Sequence, residues 1–516
     1  MNRQIRRLGI AIIMLYTILF VQLNRIQVFG AQRLNDDVNN TRDILRDFGK
    51  PRGTIVTADG VLLAQSVPTD ESKRTYRREY PQSWKYAHIT GHFSSVLASA
   101  GVEQQYNDEL SGRTLKQRYR SLADLFIDRD TTANVTLSIN SKVQQAAIDG
   151  IGLRKGSAIA LDPRTGEILA MYSVPAYDPA LLADNSTEVA EANSIHLNAL
   201  AEKPLLARAY REIFFPGSTF KIVTMAAGLE AGVVTPETTF GQASSYTPPN
   251  VREEFTIWNF DRQPCGGTLF RILQTSCNAA FARMGTELIG PERMISTAEA
   301  FGFNSKPPID LPGAAASNFP KSFGKRLQTL RSYYAARGID FPESPNPVYV
   351  TEDSGKLAQS SIGQNEVAAS PLQMALVAAA AANDGVMMKP HVMKEIRDTD
   401  GNLVSRYEPA AWRRAVTSET ATVLRAAMHA NVDAGTATLM FVDGLETGGK
   451  TGTAQLGSPD LNLNSHAWIM GYSGLPGQPP SIAVAVILEA QKGASEQTGG
   501  QVAAPIARAM IEAALR

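Results

Sequence analysis

Apolar and polar positions follow three different rhythms along this chain. From Leu8 to Leu23 the residues are almost all apolar, with Arg3, Arg6 and Arg7 before them and Arg25 after. That run is slightly short of the roughly 20 apolar residues needed to span a bilayer, and flanking arginines can snorkel to close the gap. Residues 25 to 50 turn polar. From "PRGTIVTADGVLLAQS" onward, apolar residues alternate with polar ones around Asp59-Gly60, the pattern of two short strands and a tight turn. "GSAIALDPRTGEILAMYSVPAYDP" predicts a second hairpin, with Ala158–Leu161 and Ile168–Ser173 on either side of a Pro-Arg-Thr-Gly turn.

A long middle region has mostly helical spacing, broken by loops rich in Pro, Asn and Ser at 244–250 and 303–320. In it, "SPLQMALVAAAAANDG" predicts an apolar helix stopped by Asn383-Asp384-Gly385. Near the end, "GGKTGTAQL", "HAWIMGYSG" and "SIAVAVILEA" are three strand-like runs, and "VAAPIARAMIEAALR" closes as a helix. Strands at both ends of the large region with helices between them predict one sheet built from both ends. The fold class expected is α+β.

Charge and composition narrow the function by exclusion. Lys+Arg and Asp+Glu are both 50, so the net charge is zero and nothing points to nucleic acid. The hydrophobic fraction of 44% and charged fraction of 19% are ordinary for a globular protein. Two cysteines and six scattered histidines offer no metal-ligand spacing, so neither a metal nor a cofactor is expected. The first helix reads as an anchor, its arginine-rich end cytoplasmic and the rest of the chain outside. A cleaved signal is the competing reading; a cut after Gly30, with Val28 at −3, would be tolerable, whereas one after Ala31 places Phe29 there. The flanks favour the uncleaved anchor.

Three short motifs carry the chemistry. In "FFPGSTFKIVTMAAG", Ser218 and Lys221 are three residues apart at the start of an apolar helix, so they share a face one turn apart. A lysine serves as base for a serine only if burial or another cation depresses its pKa, and the surrounding residues predict burial. A capping serine with a snorkelling lysine is the plainer alternative. A second S-x-x-K, Ser322 to Lys325, contains a glycine and has no apolar helix after it, and reads as loop. S-x-N occurs at Ser138–Asn140, Ser276–Asn278 and Ser344–Asn346, but only Ser276–Asn278 lies between two helical segments downstream of Ser218. Lys450-Thr451-Gly452, with Thr453 next, sits on a strand whose edge could pair with an extended peptide.

S-x-x-K, S-x-N and K-T-G in this order form the signature set of active-site serine penicillin-interacting enzymes. With "RGTI" at 52–55, "DPRTGEILAMYSVPAYDP" at 162–179, "SIGQNEVAASPLQMA" at 361–375 and "AAPIA" at 503–507, the chain resembles the class B penicillin-binding proteins from about residue 50 to its end. Its short N-terminal module and lack of C-terminal appendages look most like an actinobacterial branch of that family.

The resemblance implies a penicilloyl-serine-transferase (β-lactamase-like) fold with an antiparallel sheet and a helical lobe. It implies a division into tail 1–7, transmembrane anchor 8–24, stalk and pedestal 25–150, and transpeptidase domain 151–516. It also implies residue roles. Ser218 attacks a terminal D-Ala-D-Ala carbonyl, Lys221 takes its proton, Ser276 relays that proton, and Asn278 holds the substrate carbonyl or Lys221. Lys450 keeps the site electropositive, while Thr451, Gly452 and Thr453 meet the substrate. The backbone N–H groups of Ser218 and Thr453 form the oxyanion hole. Implied partners are peptidoglycan stem peptides, β-lactams, the membrane and a separate membrane glycosyltransferase. Rival readings are a β-lactamase, a DD-carboxypeptidase and a non-catalytic wall-synthesis scaffold. No ExxxN pattern follows Ser276 at a suitable spacing, and "ESPN" at 343–346 comes too late. For Cys265 and Cys277 a disulfide and a packed pair of thiols both stay open.

Overall fold

The fold rests on a strand that is apolar on both faces. In the computed structural model, which describes residues 2–25, 50–70, 75–94, 97–114, 117, 131–341, 347–454, 465–490 and 498–516, Ile482–Leu488 is fully buried at the middle of a five-stranded sheet. Its order is Glu446–Ala454, His466–Gly474, Ile482–Leu488, Gly156–Leu161 and Ile168–Val174, all antiparallel. The sheet is thus assembled from both ends of the region, as the spacing predicts.

Alternation along the central strand sends its side chains to two separate cores. Ala483, Ala485 and Ile487 join the core that contains helix Pro371–Ala382. Val484, Val486 and Leu488 join the one holding helices Ser141–Ile151 and Ala504–Leu515. Helix Pro371–Ala382 is buried on every side, which explains its lack of an amphipathic pattern. The Ser370 hydroxyl caps its start by accepting from Gln373 N at 3.1 Å. It stops where Asp384 and Gly385 take positive φ.

The N-terminal sheet contains strands that sequence order does not suggest. Its order is Leu403–Arg406, Met393–Asp398, Ala133–Leu137, Ile55–Val56, Leu62–Pro68 and Tyr76–Glu79. The predicted Asp59-Gly60 turn joins two of them, with Gly60 N donating to Thr57 O at 3.0 Å. Two strands, however, return from far downstream, and Met393–Asp398 pairs directly with Ala133–Leu137. Asp310 pins the return, accepting from Val392 N at 2.7 Å, Met393 N at 2.9 Å and the Tyr106 hydroxyl at 2.6 Å.

Helix Asn2–Arg25 leaves its apolar side chains uncovered, with Ile13 and Phe20 each 68% exposed. Among the described residues it is the one helix long and apolar enough to cross a membrane. The expected stalk, residues 26–49, lies outside the described residues, as do "ESPN" and Ser344–Asn346.

The N-terminal module is centred on a buried carboxylate. Glu103 accepts from Arg52 Nε and Arg78 Nε, both at 2.6 Å, and from the Tyr80 hydroxyl at 3.3 Å. Burial alone would raise its carboxyl, but the Arg78 and Arg52 guanidiniums outweigh that and hold it below its ordinary range. Removing the acid leaves two buried cations unpaired, so Glu103→Ala should cost about 3–5 kcal/mol. Urea unfolding followed through the N-terminal module checks this; a cost under about 1 kcal/mol, the scale of an exposed pair, would contradict it.

Candidate active site

Gly217 decides where the first motif sits. It has φ of 53°, and a Cβ there would meet Thr453 O at 2.9 Å, so the turn lies directly against the edge strand Glu446–Ala454. Gly452 does the same from the strand side, where a Cβ would come within 2.7 Å of Pro216 O. Three hydrogen bonds hold the turn: Gly217 N to Gly363 O at 3.0 Å, Trp468 Nε1 to Phe215 O at 3.0 Å, and Thr219 Oγ1 to Pro216 O at 2.8 Å. Residues Gly217–Phe220 form a 3₁₀ turn that runs into helix Lys221–Glu230, so Ser218 precedes the α-helix instead of lying on it. The tighter winding of a 3₁₀ turn brings residues three apart into line, which suits the spacing of Ser218 and Lys221.

Lys221 is completely buried among the apolar side chains of its helix. Its Nζ donates to Ser276 O at 2.7 Å and to Asn278 Oδ1 at 2.7 Å, and lies 3.2 Å from Ser276 Oγ. The first two partners can only accept; the hydroxyl can also donate. A neutral amine therefore spends its two protons on the carbonyl and the amide and keeps its lone pair for a hydroxyl. Burial, with the charge of Lys450 second, pushes the Lys221 amine well below the ordinary lysine value.

The second motif occupies the turn between helices Leu269–Gln274 and Asn278–Arg283, where Ser276 has φ of 52°. The Asn278 amide is engaged on both ends, accepting from Lys221 and donating through Nδ2 to Trp258 O at 2.9 Å. Cys265 and Cys277 form a disulfide with Cα atoms 5.8 Å apart, which closes the alternative that spacing leaves open. It fastens the residue between Ser276 and Asn278 to the short strand Cys265–Thr268.

Lys450 arrives from the edge strand, also fully buried, and its Nζ donates to Ser276 Oγ at 2.9 Å and Thr451 O at 3.0 Å. Burial lowers this amine to about 7. The Ser276 hydroxyl thus stands between two amines. The Thr451 hydroxyl donates to Thr436 Oγ1 at 2.7 Å, and Asn431 completes the link by accepting from Thr436 N at 3.1 Å and donating to Gly449 O at 2.8 Å. Thr453 is half-exposed beside the Ser218 turn. The structure brings Ser218, Lys221, Ser276, Asn278, Lys450, Thr451, Gly452 and Thr453 to one place. The copy at Ser322–Lys325 is apart from it, on a surface loop where Ser322 and Lys325 are exposed.

A model of the penicillin-binding protein transpeptidase domain matches residues 156–512. The chain belongs to that family. A second model, the penicillin-binding protein A dimerisation domain, matches residues 52–135. The peptidoglycan D,D-transpeptidase PbpA of Mycolicibacterium smegmatis is 37% identical, over 100% of this chain and 99% of the relative. Its namesake in Mycobacterium tuberculosis is 34% identical over the same shares. The crystal structure of PBPA from M. tuberculosis superposes with a TM-score of 0.78 at 34% identity, covering 91% of this chain and 100% of the other. A penicillin G acyl-enzyme complex of penicillin-binding protein A from M. tuberculosis gives 0.76, also at 34%, over 90% and 100%.

Around the three motifs, Trp468, Thr436, Asn431 and Asn259 make supporting hydrogen bonds that the sequence hardly signals. Each bonds to a residue outside its own local segment, Trp468 as far back as Phe215, and none stands in a spacing that marks it. The one available signal is the glycine in "DAGTA", which breaks the helix next to Thr436.

Both lysines bind protons less readily here than in an unfolded chain. Between pH 7 and the ordinary lysine range the unfolded state holds more protons, so stability should rise with pH there. Lys450→Met should flatten that rise by up to about 1.4 kcal/mol per pH unit, measured by urea unfolding of both proteins across the interval. Equal slopes would mean that Lys450 is not desolvated.

Proposed function

We propose that this chain is a peptidoglycan D,D-transpeptidase acting through an acyl-enzyme on Ser218. The observation that carries the reading is the Ser276 hydroxyl held between the Lys221 and Lys450 amines. The neutral Lys221 amine takes the Ser218 proton as Oγ adds to the carbonyl of the penultimate D-Ala. Backbone N–H groups of Ser218 and Thr453 receive the developing oxyanion, an arrangement worth about 10²–10³ in rate per donor. Ser276 Oγ then gives its proton to the departing D-Ala nitrogen and is reprotonated from the amine pair. An incoming stem-peptide amine reverses the sequence and releases the cross-linked product.

In the same reading, Asn278 Nδ2 orients the substrate amide. The hydroxyls of Thr451 and Thr453, with the close-packed backbone at Gly452, meet the terminal carboxylate. β-Lactams acylate the same serine. The division at residue 150, into an N-terminal module and a transpeptidase domain, is supported by the family matches to 52–135 and 156–512. A cytoplasmic N-terminus and an exported catalytic domain follow from Arg3, Arg6 and Arg7 before the apolar helix. The disulfide agrees, since such bonds persist in oxidising surroundings. A separate glycosyltransferase in the membrane would supply the glycan strands.

Time-resolved intact mass after one addition of a fluorescent penicillin tests the acyl-enzyme. A single long-lived adduct is expected on the wild type, none on Ser218→Ala, and acylation slowed by about 10²-fold or more on Lys221→Ala. Rapid loss of the adduct with release of hydrolysed drug would make the protein a β-lactamase. A normal rate in Lys221→Ala would remove that lysine as the base.

A further inference from the structure

The turn that presents Ser276 and Asn278 is held from both sides. Ser276 sits in a left-handed conformation that costs a non-glycine residue on the order of 1 kcal/mol, so its neighbours must fix it. On one side is the Cys265–Cys277 disulfide. On the other is Asn259, a buried residue in the loop that precedes Cys265. Asn259 Oδ1 accepts from Ala279 N at 2.9 Å, immediately after Asn278. Its Nδ2 donates to Ala243 O at 2.7 Å and to Gln263 O at 2.9 Å. Ala243 ends the strand Thr239–Ala243, which pairs with Cys265–Thr268. One amide therefore ties the catalytic turn to a two-stranded ladder, and the preceding carbonyl, Trp258 O, takes the Asn278 amide as well.

We infer that Asn259 is a positioning residue for the acylation step, holding the Ser276–Asn278 turn in register with the Lys221 amine. This rests on the reading of Lys221 as the base. The amine keeps its lone pair toward a hydroxyl only while Ser276 O and Asn278 Oδ1 both occupy its protons. If Asn259 lets go, the turn shifts, water reaches Nζ, and the lysine recovers part of its ordinary basicity. Among the described residues, nothing else around the amine would compensate. The facing helix contributes the Phe281 ring at 5.6 Å, the turn contributes only neutral dipoles, and the edge strand contributes Lys450, the one charge that acts on it among the described residues.

The test is the second-order rate of acylation by a fluorescent penicillin, measured on detergent-solubilised full-length protein from about pH 6 to pH 10. Wild type, Asn259→Ala and Asn259→Asp are compared, with thermal melts and intact mass to follow folding and the disulfide. Asn259→Ala removes every bond of the tie; Asn259→Asp keeps the acceptor for Ala279 N but loses both donations. Each should fold with its disulfide formed and acylate roughly tenfold or more slowly at neutral pH. The rise of the rate with pH should also move to higher pH, as a more basic lysine requires.

A slower reaction whose pH rise stays in place would make Asn259 a purely structural residue and overturn the inference, as would an unchanged rate. If Asn259→Ala does not fold, Asn259→Asp is judged by the same shift; if neither folds, the residue belongs to the fold alone and the inference fails. Adduct formation that persists in Ser218→Ala would instead sink the underlying reading, whatever the Asn259 variants do.

Discussion

Two lysine side chains buried around one hydroxyl, with no carboxylate between them among the described residues, are the constraint on which this molecule is built. Two ammonium groups in that position would repel each other in a medium that screens them poorly. Among the described residues the surroundings supply no counter-ion and meet Lys221 with a carbonyl, an amide oxygen and a hydroxyl. Such partners accept protons in hydrogen bonds without stabilising a full positive charge as a carboxylate would. The neutral amine is therefore the favoured form, and a neutral amine is what a serine nucleophile needs beside it. In the proposed reading, nucleophile activation and burial go together, since the apolar helix that stabilises the fold also strips the lysine of its water.

Three pieces of chain far apart in sequence must meet for this to work, and small residues make the meeting possible. Gly217 and Gly452 let the nucleophile turn and the edge strand touch backbone to backbone. The Trp468 indole, one strand further in, holds the turn through Phe215 O. The second motif needs more support because Ser276 is conformationally strained, and it receives a covalent tether and a hydrogen-bonded one on adjacent residues. Rigid strands carry one wall of the site and a fastened loop carries the other, which fixes the geometry before substrate arrives.

Much of this was legible in the sequence because the key elements carry local marks. The five-stranded sheet announces itself through short, wholly apolar runs rich in β-branched residues such as "IAVAVIL", and the buried helix through "LQMALVAAAAA". Pro216-Gly217 before an apolar helix separates this S-x-x-K from its copy at Ser322, because burial of the lysine follows from its neighbours. Other features left no local mark. Asn259 and Thr436 are ordinary polar residues whose importance comes from carbonyls and hydroxyls that only folding brings near. The disulfide was permitted by compartment but undecided, since twelve residues of separation say nothing about where two Cβ atoms point. Residues 393–406 fall within the span 151–516 expected for the large domain, yet they complete the small sheet.

That last arrangement governs how the protein can be made. The chain is made N-terminus first, but its first sheet lacks two strands until the segment beginning at Met393 has been made. The catalytic sheet waits longer, with Gly156–Leu161 unpaired on one side until Ile482–Leu488 arrives almost at the end. Neither module can close in order of synthesis, so long stretches with open strand edges must be kept apart while the rest is made. The apolar helix Asn2–Arg25, consistent with a single membrane pass, is made before either sheet and belongs to neither.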